Sequence, residues 1–107
     1  MPTATMTTSA GSYTVDATEP VPGLHVYQAP AHVSPLSPYR WLLAHWEGTA
    51  LASFESSEAA TQAATAVAPL ADWSRSVMTA ANEISCGGHV ERLGQLLTEA
   101  GGQHPNA

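Results

Sequence analysis

The fold of this chain is decided by the stretch YRWLLAHWEGTALASF, residues 39–54. Its first half is dense in aromatic and aliphatic side chains, as is typical of a strand. Gly48 then stands where a tight hairpin turn can use a positive φ. We therefore predict a β-hairpin over residues 39–54, with Glu47 and Gly48 as a two-residue turn and Trp41 opposite Phe54.

This pairing divides the side chains of the hairpin between two faces, because neighbouring residues of a strand point to opposite sides. One face carries Trp41, Leu43, His45, Ala50, Ala52 and Phe54, and the other carries Leu42, Ala44, Trp46, Thr49, Leu51 and Ser53. A slip of one residue would exchange the two faces of one strand. Neither face is polar throughout, so the second face must either meet another surface or leave apolar atoms exposed.

An Ala-rich helix is predicted directly after the hairpin. Ser56 can cap its first N–H groups, and Glu58 is favourable in the first turn. Four small side chains form one stripe at helical spacing; they are Ala60, Ala63, Ala64 and Val67. This stripe predicts close packing on the first face of the sheet, and Pro69 ends the helix.

The remaining elements are shorter. Residues 24–28 alternate apolar and polar side chains and predict a possible third strand, whereas three prolines in 30–38 predict an extended loop. Apolar residues at helical spacing predict two further helices, which end near Gly87 and Gly101. The expected fold is therefore a small α+β domain, with an antiparallel hairpin or three-stranded sheet packed on an Ala-rich helix and followed by two short helices.

Leu, Ile, Val and Phe together make up 18 of the 107 residues, so the chain has at most one small domain with a thin core. Residues 1–23 are mainly Thr, Ser, Pro and Ala, and we predict a disordered N-terminal arm. Residues 24–100 form the predicted single domain, and residues 101–107 are expected to be a disordered tail.

Charge excludes several classes of function. The chain has three Arg, no Lys and nine acidic residues, which give a net charge of −6. Non-specific nucleic-acid binding needs many cationic side chains, so no nucleic-acid partner is expected. One cysteine excludes an intrachain disulfide. With no signal-peptide pattern and no apolar run of about 20 residues, we expect a cytoplasmic protein without a membrane partner.

Cys86 and His89 are the one closely spaced pair of residues whose side chains are suited to metal binding or nucleophilic catalysis. A C-x-x-H pair without a second pair is weak as a metal motif, so no metal ligands and no cofactor are expected. The same pair could form a Cys–His nucleophile, but no orienting third group or oxyanion hole is evident. An enzyme is thus the third hypothesis, and we expect a non-catalytic protein.

The leading hypothesis is an interaction module that associates with itself or with another protein. Leu42, Trp46 and Leu51 on the second sheet face form the expected interface, because exposed apolar patches usually mark interaction sites. Cover of this face by the 24–28 strand, the Pro-rich loop or the last helix is the alternative. The second hypothesis is a small-molecule or peptide pocket lined by Trp41, His45 and Trp73.

Residues 39–73 combine W-x-L-x-H, a turn glycine, A-x-F, an Ala-rich helix and D-W. This pattern resembles small proteins of GC-rich bacterial genomes, some of them linked to plasmids or prophages. The resemblance covers about a third of the chain, and no residue role is carried over from it. It implies at most an accessory protein of a mobile element.

Overall fold

The computed structural model describes residues 3–8, 11–29 and 38–103. Its elements in chain order are β1 (Thr3–Thr8), β2 (Gly11–Val21), β3 (Leu24–Gln28), β4 (Trp41–His45), β5 (Ala50–Phe54), α1 (Ser57–Val67), α2 (Val77–Cys86) and α3 (Val90–Glu99). A short 3-10 turn, Ala68–Leu70, follows α1. The predicted α+β fold is confirmed, with an Ala-rich helix on an antiparallel sheet.

The sheet follows chain order throughout. Strands β2 to β5 form a four-stranded antiparallel sheet, and β1 pairs with the first part of β2 to extend the order to five. The predicted third strand at Leu24–Gln28 is confirmed, and it pairs with β4 along its whole length. Consecutive antiparallel strands can be joined by short turns, which the chain uses between β2 and β3 and between β4 and β5.

The structure has strands within residues 1–23, the segment that we expect to be a disordered arm. Residues 3–8 and 11–21 lie in strands, and Ala17 of β2 is buried against the second face of the sheet. Thr, Val and Tyr in this segment favour extended backbone, a preference that the low content of large apolar residues concealed. The domain limits at residues 24 and 100 stay a prediction.

The turn between β2 and β3 is built from Pro22 and Gly23. Gly23 has φ +90°, which the third residue of a type II turn requires, and Val21 pairs with Leu24 across the turn. A Cβ at Gly23 would lie 1.9 Å from the carbonyl oxygen of Trp73. The turn therefore packs directly against the backbone that follows α1.

The hairpin register is confirmed at its open end and wrong near its turn. Trp41 pairs with Phe54, and the next two pairs also match the prediction. Ala44 then pairs with Ala50 rather than with Leu51, so Leu51 is the extra residue of a bulge. As a result Leu51 packs toward the α1 side and Ala50 toward the other face, which exchanges their predicted positions.

Helix α1 forms as the sequence predicts. The Ser56 side chain accepts a hydrogen bond from the Ala59 N–H at 3.1 Å, and the predicted stripe is buried against the sheet. The main core combines this stripe with large side chains from three strands and with residues that follow α1: Leu24, Val26, Leu43, Ala52, Phe54, Trp73, Ala80 and Ile84. The Trp73 indole donates to the Val67 carbonyl at 3.0 Å and fixes the end of the helix.

The segment after α3 returns to the sheet. Ser53 of β5 and Gln103 exchange two backbone hydrogen bonds, at 2.9 and 3.0 Å. This pairing differs from the frayed tail that we expected from residue 101 onward. Most of the predicted Pro-rich loop, residues 30–37, and the last residues, 104–107, lie outside the described residues.

Candidate functional site

The structure does not bring Leu42, Trp46 and Leu51 together. Leu42 is 7% exposed and packs with Ala17 and Tyr27 on the second sheet face. Trp46 lies in the hairpin turn beyond the end of β4, and the bulge moves Leu51 to the opposite face. Leu42 is thus buried in a cluster with Ala17, Tyr27 and Ala44, and the three residues of the expected patch do not share one face.

The alternative pocket of Trp41, His45 and Trp73 is also divided. Trp41 is half-buried against the main core, and Trp73 is buried beneath the end of α1. His45 is 1% exposed, and both of its ring nitrogens are engaged in hydrogen bonds. Of the three, Trp73 lines an open groove, whereas His45 is a structural residue.

His45 organises the turn that follows it. Its Nδ1 accepts from the Glu47 N–H at 3.0 Å, so Nε2 carries the ring proton and donates to the Arg75 carbonyl at 2.7 Å. The Trp46 indole Nε1 donates to the same carbonyl at 3.0 Å. The Glu47 carboxylate accepts from the Val77 N–H at the start of α2. The turn between His45 and Ala50 is longer than two residues, and these bonds attach it to the segment before α2 and to its first residue.

An apolar groove opens between α2, α3 and the start of β5. It encloses about 270 Å³, and Trp73 and Ile84 contribute its most buried side chains. The groove is lined by Thr49, Leu51, Trp73, Val77, Ala81, Ile84, Val90 and Leu93. Val90 at the start of α3 also lines the groove and is 61% exposed.

A second cleft lies on the other side of residues 73–74. This open cleft has a volume of about 440 Å³ and is lined by Glu19, Pro22, Gly23, His25, Trp46 and Ser74. Glu19 Oε2 accepts from the Gly23 N–H at 3.1 Å and lies 3.2 Å from His25 Nε2. Sequence reasoning missed Glu19 and His25, because it placed Glu19 in the arm and the two are brought together by the Pro22–Gly23 turn.

The Cys86–His89 pair does not form a dyad. Cys86 is exposed at the end of α2, and the His89 ring lies over Gly87. Between these two described residues the structure records no hydrogen bond. Across residues 3–8, 11–29 and 38–103, no cluster of three or more His, Cys, Asp or Glu side chains is arranged to hold a metal ion. His32 and His104 lie outside this part of the chain.

Among the described residues, two titratable groups have displaced pKa values. Hydrogen bonds from the Ser74 side chain and backbone hold the pKa of Asp72 below its ordinary value of 3.8. Burial raises the pKa of Tyr27 above its ordinary value of 10.0. Neither group lines the groove or the cleft, so both shifts concern stability. The helices that the structure describes are all too short or too polar to cross a bilayer.

Comparison with known proteins gives no match to a family model, a curated protein or a solved structure. The fold and surface define a small α+β domain with an apolar groove and a neighbouring Trp46 cleft.

Proposed function

We propose that this protein is a non-catalytic interaction module, and that its apolar groove binds an apolar, positively charged segment of a partner protein. The observation that supports the proposal is the groove itself, whose lining is apolar except for Thr49. An apolar surface left open between two helices is typical of sites that receive an amphipathic helix. Its volume of about 270 Å³ is at the lower end for small-molecule pockets, which favours a row of partner side chains.

Charge favours a different partner over a second copy. The chain carries a net charge of −6 and no Lys, so two copies repel each other when they approach. Acidic residues stand next to the groove lining, since Glu47 bonds to Val77 and Glu91 follows Val90. A segment with apolar residues on one face and Lys or Arg beside them complements this surface.

Self-association, the leading expectation from the sequence, is the alternative. Its proposed surface at Leu42, Trp46 and Leu51 has lost support because Leu42 is buried within the chain. Small-molecule binding in the groove is a further outcome that the test must distinguish. A cytoplasmic location and a role as an accessory protein of a plasmid or prophage belong to the same proposal, and the second of these rests on the sequence resemblance alone.

The test uses two designed helical peptides of equal length, one of Leu and Lys and one of Leu and Glu at the same spacing. Fluorescence anisotropy with the full chain should give saturable binding of the Leu/Lys peptide and much weaker binding of the Leu/Glu peptide. Ala81→Glu places a charged side chain in the groove and should weaken binding by about tenfold or more, a loss of about 1.4 kcal/mol.

Asn82→Glu is the matched control, because it adds the same charge at the next exposed position of α2, outside the groove lining. Equal binding by Ala81→Glu and Asn82→Glu would show that the groove is not the site. Equal binding of both peptides would show that positive charge does not select the partner segment. A dimer in light scattering that Ala81→Glu dissociates would replace the proposed partner with a second copy.

A further inference from the structure

The Trp46 indole is exposed and yet fixed in orientation. It is 46% exposed, its Nε1 donates to the Arg75 carbonyl at 3.0 Å, and its backbone N–H donates to the Gly23 carbonyl at 3.0 Å. The ring also contacts His45, with centroids 5.3 Å apart. An aromatic side chain that is already ordered loses little conformational entropy when a ligand stacks on it.

Glu19 lines the same cleft and is fixed by different contacts. Its side chain leaves β2 where the pairing with β3 is irregular, between Thr18 and Val21. The hydrogen bond from Gly23 and the contact with His25 both involve Oε2, so Oε1 takes part in neither of them. The carboxylate side chain remains 41% exposed. The cleft therefore combines an aromatic ring, that of Trp46, with a carboxylate, that of Glu19, and both are already held in place by hydrogen bonds.

We propose that this cleft binds an organic cation of the guanidinium or alkylammonium class, stacked on Trp46 and paired with Glu19. A cation is attracted by the face of an indole ring, and Trp gives the strongest interaction of this kind among the aromatic residues. The carboxylate adds a charge-assisted hydrogen bond, which a guanidinium group can make with two N–H donors. The net charge of −6 favours a cationic ligand further.

The natural source of such a cation is an Arg or Lys side chain of the partner that the proposed function requires. Trp73 lines the apolar groove and Ser74, the next residue in the chain, lines the cleft. A segment lying in the groove can therefore direct a basic side chain toward Trp46. No residue belongs to both linings, so the cleft can bind a cation even when the groove fails its own test.

Two-dimensional NMR of the full chain tests the site with arginine methyl ester as the probe. The backbone amides of Gly23 and Ser74 should shift saturably with this probe, and neither NaCl at equal ionic strength nor methyl glucoside should reproduce the shift. Trp46→Leu should weaken binding by about fivefold or more, because it removes the aromatic face. Glu19→Gln should weaken it by about threefold, since it keeps an acceptor oxygen but removes the charge.

Glu58→Gln in the first turn of α1 is the matched control for Glu19→Gln, because it removes an exposed acid remote from the cleft. An equal loss in both variants would mean that the probe senses net charge alone and would overturn the proposal. Equal shifts with methyl glucoside would identify a sugar site instead. Should Trp46→Leu disturb amides throughout the chain, the Glu19→Gln affinity decides, and an unchanged value refutes cation binding.

Discussion

Replacing Gly23 by alanine tests the packing of the β2–β3 turn against the segment after α1. The added Cβ would lie 1.9 Å from the Trp73 oxygen and 2.6 Å from the Ser74 nitrogen. Neither backbone atom can move away by a rotamer change. This segment is fixed on both sides by hydrogen bonds. The Trp73 indole donates to the Val67 carbonyl, and the ring N–H groups of His45 and Trp46 donate to the Arg75 carbonyl.

The expected cost has two parts. A side chain at positive φ costs about 1–2 kcal/mol, of which a more restricted unfolded chain recovers about 0.4–1 kcal/mol. The overlap with backbone adds about 1–3 kcal/mol as overpacking. Gly23→Ala should therefore reduce the free energy of unfolding by about 2–4 kcal/mol. A domain of this size is stable by about 5–15 kcal/mol in total, so the variant should fold but melt much earlier.

Gly88→Ala is the matched control. Gly88 also has positive φ, at +72°, but a Cβ there would meet no atom within 4 Å. This variant should lose about 0.5–1 kcal/mol, which is the backbone term alone. Urea unfolding followed by tryptophan fluorescence measures both variants. Losses that agree within about 0.5 kcal/mol would refute the close approach of Gly23 to residues 73–74.

Three further variants test other features of the fold. Gly94→Ala in α3 should raise the free energy of unfolding by about 0.5–1 kcal/mol, since a Cβ there enters open space; a lower urea midpoint would contradict the exposed helical position. The pKa of Tyr27 is raised, so the folded state holds the phenol proton more tightly than the unfolded state does. The free energy of unfolding should therefore be unaffected below about pH 10 and fall above it. Tyr27→Phe should reduce this alkaline loss, as measured by urea midpoints across pH. The pKa of Asp72 is lowered, so its contribution to the free energy of unfolding should be present above pH 3.8 and disappear as the pH falls further. Asp72→Asn should therefore make the loss of stability in acid slightly less steep. An unchanged acid profile would exclude the Ser74 contacts as the cause of that loss.

The sequence predicted those elements whose signals are local. The Ser56 cap, the buried stripe of α1 and the pairing of Trp41 with Phe54 each depend on residues close together in the chain. Turn chemistry and helical spacing act over such short distances, so they can be recognised without knowing the rest of the fold.

The bulge at Leu51 could not be predicted in the same way. It depends on a buried His45 ring that bonds to Arg75, which lies thirty residues away in the chain. The His45–Arg75 contact accompanies this longer turn, and the one extra residue changes which side chains share a face. Trp46 and Leu51 were assigned to one face from an ideal two-residue turn, and in the structure they do not share it.

The Trp46 cleft was missed for a different reason. Its residues come from β2, the β2–β3 turn, the hairpin turn and residue 74. Glu19 was assigned to the arm because the segment contains few large apolar residues, although its Thr-rich composition favours strands. The apolar groove was recognised in part, since Leu51 and Trp73 were both singled out, but from two different expected sites.

The bridge between Ser53 and Gln103 bears on the outer edge of the sheet. β5 is the outer strand of the sheet, and an outer strand can template the addition of a foreign strand through its free main-chain groups. The backbone of Gln103 pairs with both the N–H and the C=O of Ser53, the residue before the last of β5. Shortening the chain to residue 102 would free the main-chain donor and acceptor of Ser53, and we expect this edge to accept a foreign strand more readily as a result.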